Sequence, residues 1–98
     1  MQALTALSDP TRQRILEILS KGPHASGEIA RQFDLTAPAI SQHLKTLREA
    51  RLVRVRPKAQ QRFYELDPQG VMELSDWVTG IRAFWAGKLD ALEKELRK

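Results

Sequence analysis

A mainly helical single domain carrying one small β-hairpin, in the order α-α-α-α-β-β-α, is what this 98-residue sequence predicts. Three observations point there. Apolar residues recur at threes and fours through most of the chain, which is the helical period, whereas two short stretches past the middle alternate one by one, the strand period. Asp9-Pro10, Thr36 with Pro38, and Asp67-Pro68 each open a periodic stretch. Such openings place a side-chain acceptor over the first turn and a proline where a missing N–H costs little.

Residues 1–7 are helix-prone but too short to stand alone, since isolated helices below about 12 residues are marginal in water. They must pack on something. Asp9 and Pro10 open a helix to about Ser20, with Ile15, Leu16, Ile18 and Leu19 on its buried side, and Lys21-Gly22-Pro23 ends it. Arg12 and Arg14 read as solvated, although Arg12 is close enough to a helix start to reach a phosphate. Ser26 is the expected cap of a short helix, Gly27 to Phe33, whose apolar side is Ile29, Ala30 and Phe33. A short link leads to Thr36, the cap of the next helix. There Ile40, Leu44 and Leu47 recur at i, i+4, i+7 as the buried stripe, while Pro38, Ser41, Gln42, Lys45 and Glu49 face the other way with Arg48 at the edge.

That outward face combines an amide, a hydroxyl and two cations. A solvated helix surface can look the same, so the neighbouring elements must decide. Two short helices joined by a tight turn, the second amphipathic with a polar outer face, form a helix-turn-helix pattern over residues 26–50. Immediately after it, Val53 and Val55 alternate with Arg54 and Arg56, and Phe63 and Tyr64 mark a second strand from Arg62 to Leu66. The link Pro57-Lys58-Ala59-Gln60-Gln61 contains no Gly, which predicts a longer, mobile tip instead of a two-residue turn. Residues 52–66 then read as a wing. It would carry Arg54, Arg56, Lys58, Gln60, Gln61 and Arg62 beside a duplex, on phosphates or in the minor groove.

From Asp67-Pro68 a helical pattern runs nearly to the end. Val71, Leu74, Val78, Ile81, Trp85, Leu89, Leu92 and Leu96 make one stripe, and Trp77, Phe84 and Ala91 a second beside it. One small domain cannot cover so much apolar surface, so an identical helix of a second chain is the expected home for Trp85, Leu89, Leu92 and Leu96. Gly80 and Gly87 each cost about 1 kcal/mol relative to Ala, and a break or kink is expected near Gly80.

Charge separates the functional classes. The net charge is +4, yet residues 36–62 hold seven cations and one acid, a local +6, and the remainder is −2. A basic block in an otherwise slightly acidic small protein is the footprint of a polyanion binder, and the block lacks the apolar residues that would enter a membrane. No apolar run approaches the roughly 18 residues of a membrane span, and no secretory leader is apparent, so a soluble, cytoplasmic protein is expected. With no cysteine and two isolated histidines, His24 and His43, neither a disulfide framework nor a metal site is expected. No phosphate-binding glycine loop or nucleophile–base arrangement is readable, and no cofactor or enzymatic activity is expected.

Laid end to end, these pieces resemble the ArsR/SmtB family of bacterial winged helix-turn-helix regulators. The residues that carry the resemblance are Leu7-Ser8-Asp9-Pro10-Thr11-Arg12 with Ile15-Leu16, the run from Ala39 to Leu47, Ala50-Arg51-Leu52-Val53, and Tyr64-Glu65-Leu66-Asp67-Pro68. The resemblance implies a homodimer joined by the first helix (1–7) and the last (68–98), here through Leu4, Leu7, Trp77, Ile81, Phe84, Trp85, Leu89, Leu92 and Leu96. It implies a repressor bound to a roughly palindromic double-stranded operator. By position it carries over Thr36, Ala37, Pro38, Ser41, Gln42 and His43 as major-groove residues, to which the residue-level reading adds Lys45 and Arg48. Two departures stand out. The paired cysteines of metal-sensing members fall at Ala25 and Gly27, so metal sensing in the usual manner is not expected, and a small-molecule or protein inducer is left open. The family commonly has Gly where this chain has Arg51. The rival reading is a winged-helix protein-interaction module without DNA binding, which would have no need of the basic block.

Overall fold

In a computed structural model covering residues 1–98, each predicted helix opening is built as the sequence suggests, with one exception. Helix α1 (Gln2–Leu7) leads into α2 (Pro10–Leu19), where the Asp9 carboxylate accepts from the Arg12 backbone N–H at 3.0 Å. Helix α4 (Ala37–Glu49) is capped by Thr36, whose hydroxyl accepts from Ala39 N–H at 3.2 Å. Helix α5 (Pro68–Leu96) is capped by Asp67 through the Gln69 N–H at 3.1 Å. The exception is α3 (Ser26–Ala30), which starts one residue earlier than expected, with Ala25 in the cap position. Ser26 makes no cap bond there. Instead the Glu28 carboxylate reaches back to the Ala25 N–H at 3.0 Å, and the helix ends at Ala30, short of Phe33.

Ten apolar residues form the core: Ala3 and Ala6 of α1, Ile15 and Leu19 of α2, Ile29 of α3, Ile40, Leu44 and Leu47 of α4, then Leu52 and Val53. Leu16 and Phe33 pack partly against it, whereas Ile18 only half-buries at its margin. The small first helix is thus held by two alanines that allow close approach, which is why a piece too short to be helical by itself is helical here.

The hairpin differs from expectation in two ways. Strands β2 (Val53–Lys58) and β3 (Gln61–Leu66) are longer than the alternation suggests, and only Ala59 and Gln60 join them. Ala59 takes φ 57° and supplies the left-handed step that Gly usually supplies in such a turn. Pro57 fits because β2 is an edge strand, where a missing N–H breaks no ladder. In addition, His24–Ala25 forms β1, antiparallel to β3 with His24 opposite Tyr64, so the sheet has three strands in the order β1-β3-β2. Two residues are too few to show alternation, and the Gly-Pro before them reads as a stop.

Helix α5 is also continuous, with no break at Gly80. Glycine weakens a helix through entropy but removes no backbone hydrogen bond, so it does not by itself force an interruption. Only the first turns of α5 reach the core, through Val71 and Leu74. Beyond them Val78, Ile81, Phe84, Trp85, Leu89, Leu92 and Leu96 stand exposed on the single chain. The molecule is accordingly long, 63 × 28 × 22 Å, with a Cα radius of gyration of 17.3 Å. A rounded chain of this length would have about 13 Å. No helix is long and apolar enough to cross a membrane.

Candidate nucleic-acid interface

Burial of Ile40, Leu44 and Leu47 fixes which way α4 faces, and the rest of the helix follows from the 3.6 period. Pro38, Ser41, Gln42, Lys45, Arg48 and Glu49 are exposed, as are Thr36 and Ala37 at the start. None of these side chains except the capping Thr36 hydroxyl is spent on a hydrogen bond inside the chain. The outward polar face is therefore free to meet another molecule.

His43 is placed differently. It leans toward α2, with its side chain 22% exposed, and Arg12 Nη1 donates to its Nδ1 at 3.3 Å, while Asp9 Oδ2 lies 3.9 Å from the same nitrogen. His43, expected at a groove, is thus half-buried and ties α4 to the start of α2. Arg12 is spent as well. Its Nε donates to the Ala6 carbonyl at 2.7 Å and Nη2 to Thr5 at 3.4 Å, so it fastens α1, α2 and α4 together instead of reaching outward. The Asp9 carboxyl is held below its ordinary value, first by the Arg12 N–H bond, with the facing His43 and the Arg12 charge adding to this against a desolvation cost.

On the wing, cross-strand partners share a face. Arg54 with Glu65, Arg56 with Phe63, and Lys58 with Gln61 lie on one side; Val53 with Leu66, Val55 with Tyr64, and Pro57 with Arg62 lie on the other. Lys45, Arg48 and Arg54 line one open groove between α4 and β2. Arg54 and Arg56 are joined through Glu65, and Arg56 and Lys58 line a further recess with Phe63 and Pro23. Five cations therefore follow one another from α4 to the hairpin tip, with Glu49 and Asp67 lining the same groove and Glu65 set between Arg54 and Arg56. Arg62 does not belong to that run. It lies with Arg31, Gln60 and Gln61 in a groove against α3. Gln60 and Gln61 are exposed at the tip. Arg51 is turned elsewhere, toward Glu73 of α5 at 3.5 Å.

Glu65 is the one member of this surface that sequence reading missed. The signal was available, since a hairpin register that opposes Val53 to Leu66 must oppose Arg54 to Glu65.

Comparison with known proteins agrees with this architecture. The profile described as "Bacterial regulatory protein, arsR family" matches residues 9–55, from the cap of α2 into β2. The HTH-type transcriptional regulator Rv2034 of Mycobacterium tuberculosis is 47% identical over 88 residues, covering 90% of this chain and 79% of that one. The chain belongs to the ArsR family. Another relative, the transcriptional repressor SdpR of Bacillus subtilis, is 36% identical over 73 residues, 74% of this chain and 81% of its own. A crystal structure described as a "Possible transcriptional regulator for arsenical resistance" superposes with a TM-score of 0.77 at 36% identity, covering 97% of this chain and 96% of that one. The ArsR-family fold is thus present over nearly the whole chain, and the protein is a DNA-binding transcriptional regulator. Ala25, paired to β3, and Gly27, in α3, have no side-chain metal ligand.

Proposed function

We propose that this ArsR-family protein is a repressor that binds a roughly palindromic operator as a homodimer. The observation that carries the reading is the succession of Lys45, Arg48, Arg54, Arg56 and Lys58, in which cations outnumber acids, beside the free polar face of α4. In it, α4 enters a major groove, where Gln42 and Ser41 meet base edges. Thr36, Ala37 and Pro38 approach the backbone at the helix start. The wing follows the adjacent phosphates, and Gln60, Gln61 and Arg62 at its tip and far face touch the opposite wall of the minor groove. His43 supports α4 from behind. A symmetric pair joined along α5 would present two such helices about 34 Å apart, one turn of the duplex. An inducer, where one exists, is a small molecule or a protein and not a metal read by cysteines.

The test is selection of bound sequences from random duplex DNA, followed by affinity measurements across salt. If the dimer neutralises about 6 to 10 phosphates, binding falls by roughly 10³ to 10⁵ between about 50 and 200 mM salt. Gln42→Ala is expected to reduce preference for the selected operator more than affinity for random DNA. Equal losses on both would remove Gln42 from base reading, and a salt-independent affinity would remove the cationic surface from binding.

A further inference from the structure

Glu65 is an acid in the middle of a surface that should attract phosphates, and it is not an ordinary surface acid. Its side chain is 13% exposed, although Arg54 and Arg56 above it are 46% and 67% exposed. One carboxylate oxygen, Oε1, accepts from Arg54 Nε at 2.8 Å and lies 3.3 Å from Arg56 Nε. The sheet register explains why both arginines meet one acid: Glu65 faces Arg54 directly, and Arg56 is the next residue along the same face.

The atoms involved decide what this contact does. A guanidinium has five N–H donors in a rigid fork; Glu65 accepts a hydrogen bond from the Nε edge of Arg54 and forms an ion pair with Arg56 at its Nε, without a hydrogen bond. The terminal Nη groups of Arg54 and Arg56 make no hydrogen bond within the chain. A phosphate can therefore be taken by the Nη groups without breaking the carboxylate contacts. What Glu65 removes is freedom: it holds Arg54 by a hydrogen bond and draws Arg56 toward the same oxygen, so that two long side chains are biased to one side before DNA arrives. Immobilising such a side chain on binding costs roughly 0.5 to 1.5 kcal/mol, a factor of about 2 to 13 in affinity. The carboxylate also repels phosphate. It does so from beneath two cations, and the trio still carries a net charge of +1.

We propose that Glu65 is a positioning residue for DNA binding, which aligns Arg54 and Arg56 through their Nε atoms so that their Nη groups are presented to backbone phosphates. This rests on the reading that the wing cations bind phosphate. The experiment measures dissociation constants and salt slopes on a random-sequence duplex, with melting temperatures alongside. It uses Glu65→Ala, Glu65→Gln, the double variant Arg54→Gln/Arg56→Gln, and the double variant with Glu65→Ala added. The double arginine variant is expected to weaken binding and to lower the salt slope of the dimer by about 4, since each of its two wings loses two cations. Glu65→Ala is expected to weaken binding roughly 3- to 10-fold with little change in slope. Glu65→Gln, which keeps the acceptor oxygen, should recover most of that loss. On the double arginine background Glu65→Ala should have no further effect.

Each departure has a distinct meaning. If the arginine variant binds as wild type does, the wing reading fails and Glu65 falls with it. If the arginines matter but Glu65→Ala binds equally or more tightly, the acid merely competes with phosphate and the positioning role alone is overturned. A Glu65→Ala loss that persists on the arginine background, or that Glu65→Gln does not recover, marks a structural role and overturns it too.

Discussion

Arg51 sits at φ 63° directly after α4, a conformation that costs a non-glycine residue about 1 to 2 kcal/mol. The turn around it explains why the chain accepts that cost. Leu52 N–H bonds to the Leu47 carbonyl at 3.0 Å and Arg51 N–H to Arg48 at 2.9 Å, the paired bonds that close a helix end through a left-handed residue. Leu47 and Leu52, which this turn brings together, are both fully buried. Arg51→Gly should therefore raise the melting temperature by several degrees, equivalent to about 1 kcal/mol, since the exposed Arg51–Glu73 pair offsets little. An unchanged or lower value would show that Arg51 is held by contacts worth more than its strain. Gly70 is the counterpart. A Cβ there would stand 1.6 Å from the Arg51 carbonyl oxygen, so α5 can lie against this turn only with hydrogen at that position. Gly70→Ala should cost about 3 kcal/mol or prevent α5 from docking, as overpacking against rigid backbone does. Thermal unfolding monitored by circular dichroism distinguishes that from a neutral change. At the wing tip Ala59, at φ 57°, predicts a smaller gain of up to about 1 kcal/mol for Ala59→Gly.

Elements whose chemistry is local were legible in the sequence, and those decided by pairing were not. Asp9, Thr36 and Asp67 act as caps because capping involves only residues within one turn. The buried stripe of α4 is set by a period that the sequence carries by itself. By contrast β1 exists only because β3 offers it an edge, and the two-residue hairpin turn exists because pairing of Lys58 with Gln61 outweighs the strain at Ala59. The inward turn of His43 depends on Arg12, 31 residues earlier. The Asp9 cap yields a pH prediction. Its folded-state pKa lies below the ordinary 3.8, so its contribution is complete above that value and is lost as pH falls through the lowered folded one. Asp9→Ala should cost about 1 kcal/mol near neutral pH. Denaturant titrations of both proteins should converge as pH drops below the ordinary carboxylate range. A constant gap down to acid pH would mean that the cap acts by shape and not by charge.

At the scale of the molecule, α5 is the element that a single chain leaves uncovered. Its 29 residues span about 43 Å, and past Leu74 they bury nothing in their own chain. Isolated helices owe most of their stability to packing, so a helix of this length with Phe84, Leu89 and Leu92 all more than half exposed needs a cover. Leu4 of α1 is 38% exposed as well, whereas Leu7 packs partly on the core. Gly80 and Gly87 have open space around the position of a Cβ, so nothing within one chain accounts for glycine there. We propose as that cover a second copy of α5, related by a two-fold axis, which would make Trp77, Ile81, Trp85 and Leu96 ordinary core residues. Trp85→Asp tests it, because Trp85 is 47% exposed in the single chain and far from the ten-residue core, so the head of the molecule should still fold. Sedimentation should give one chain for the variant and two for the wild type. The wild-type melting temperature should rise with protein concentration, as mass action requires, and that of the variant should not. The variant should also lose helix signal as the end of α5 frays, and bind an operator half-site with a salt slope near half that of the dimer. A wild type that sediments as one chain, or a variant that remains paired, would show that the apolar face of α5 is covered by something other than its own copy.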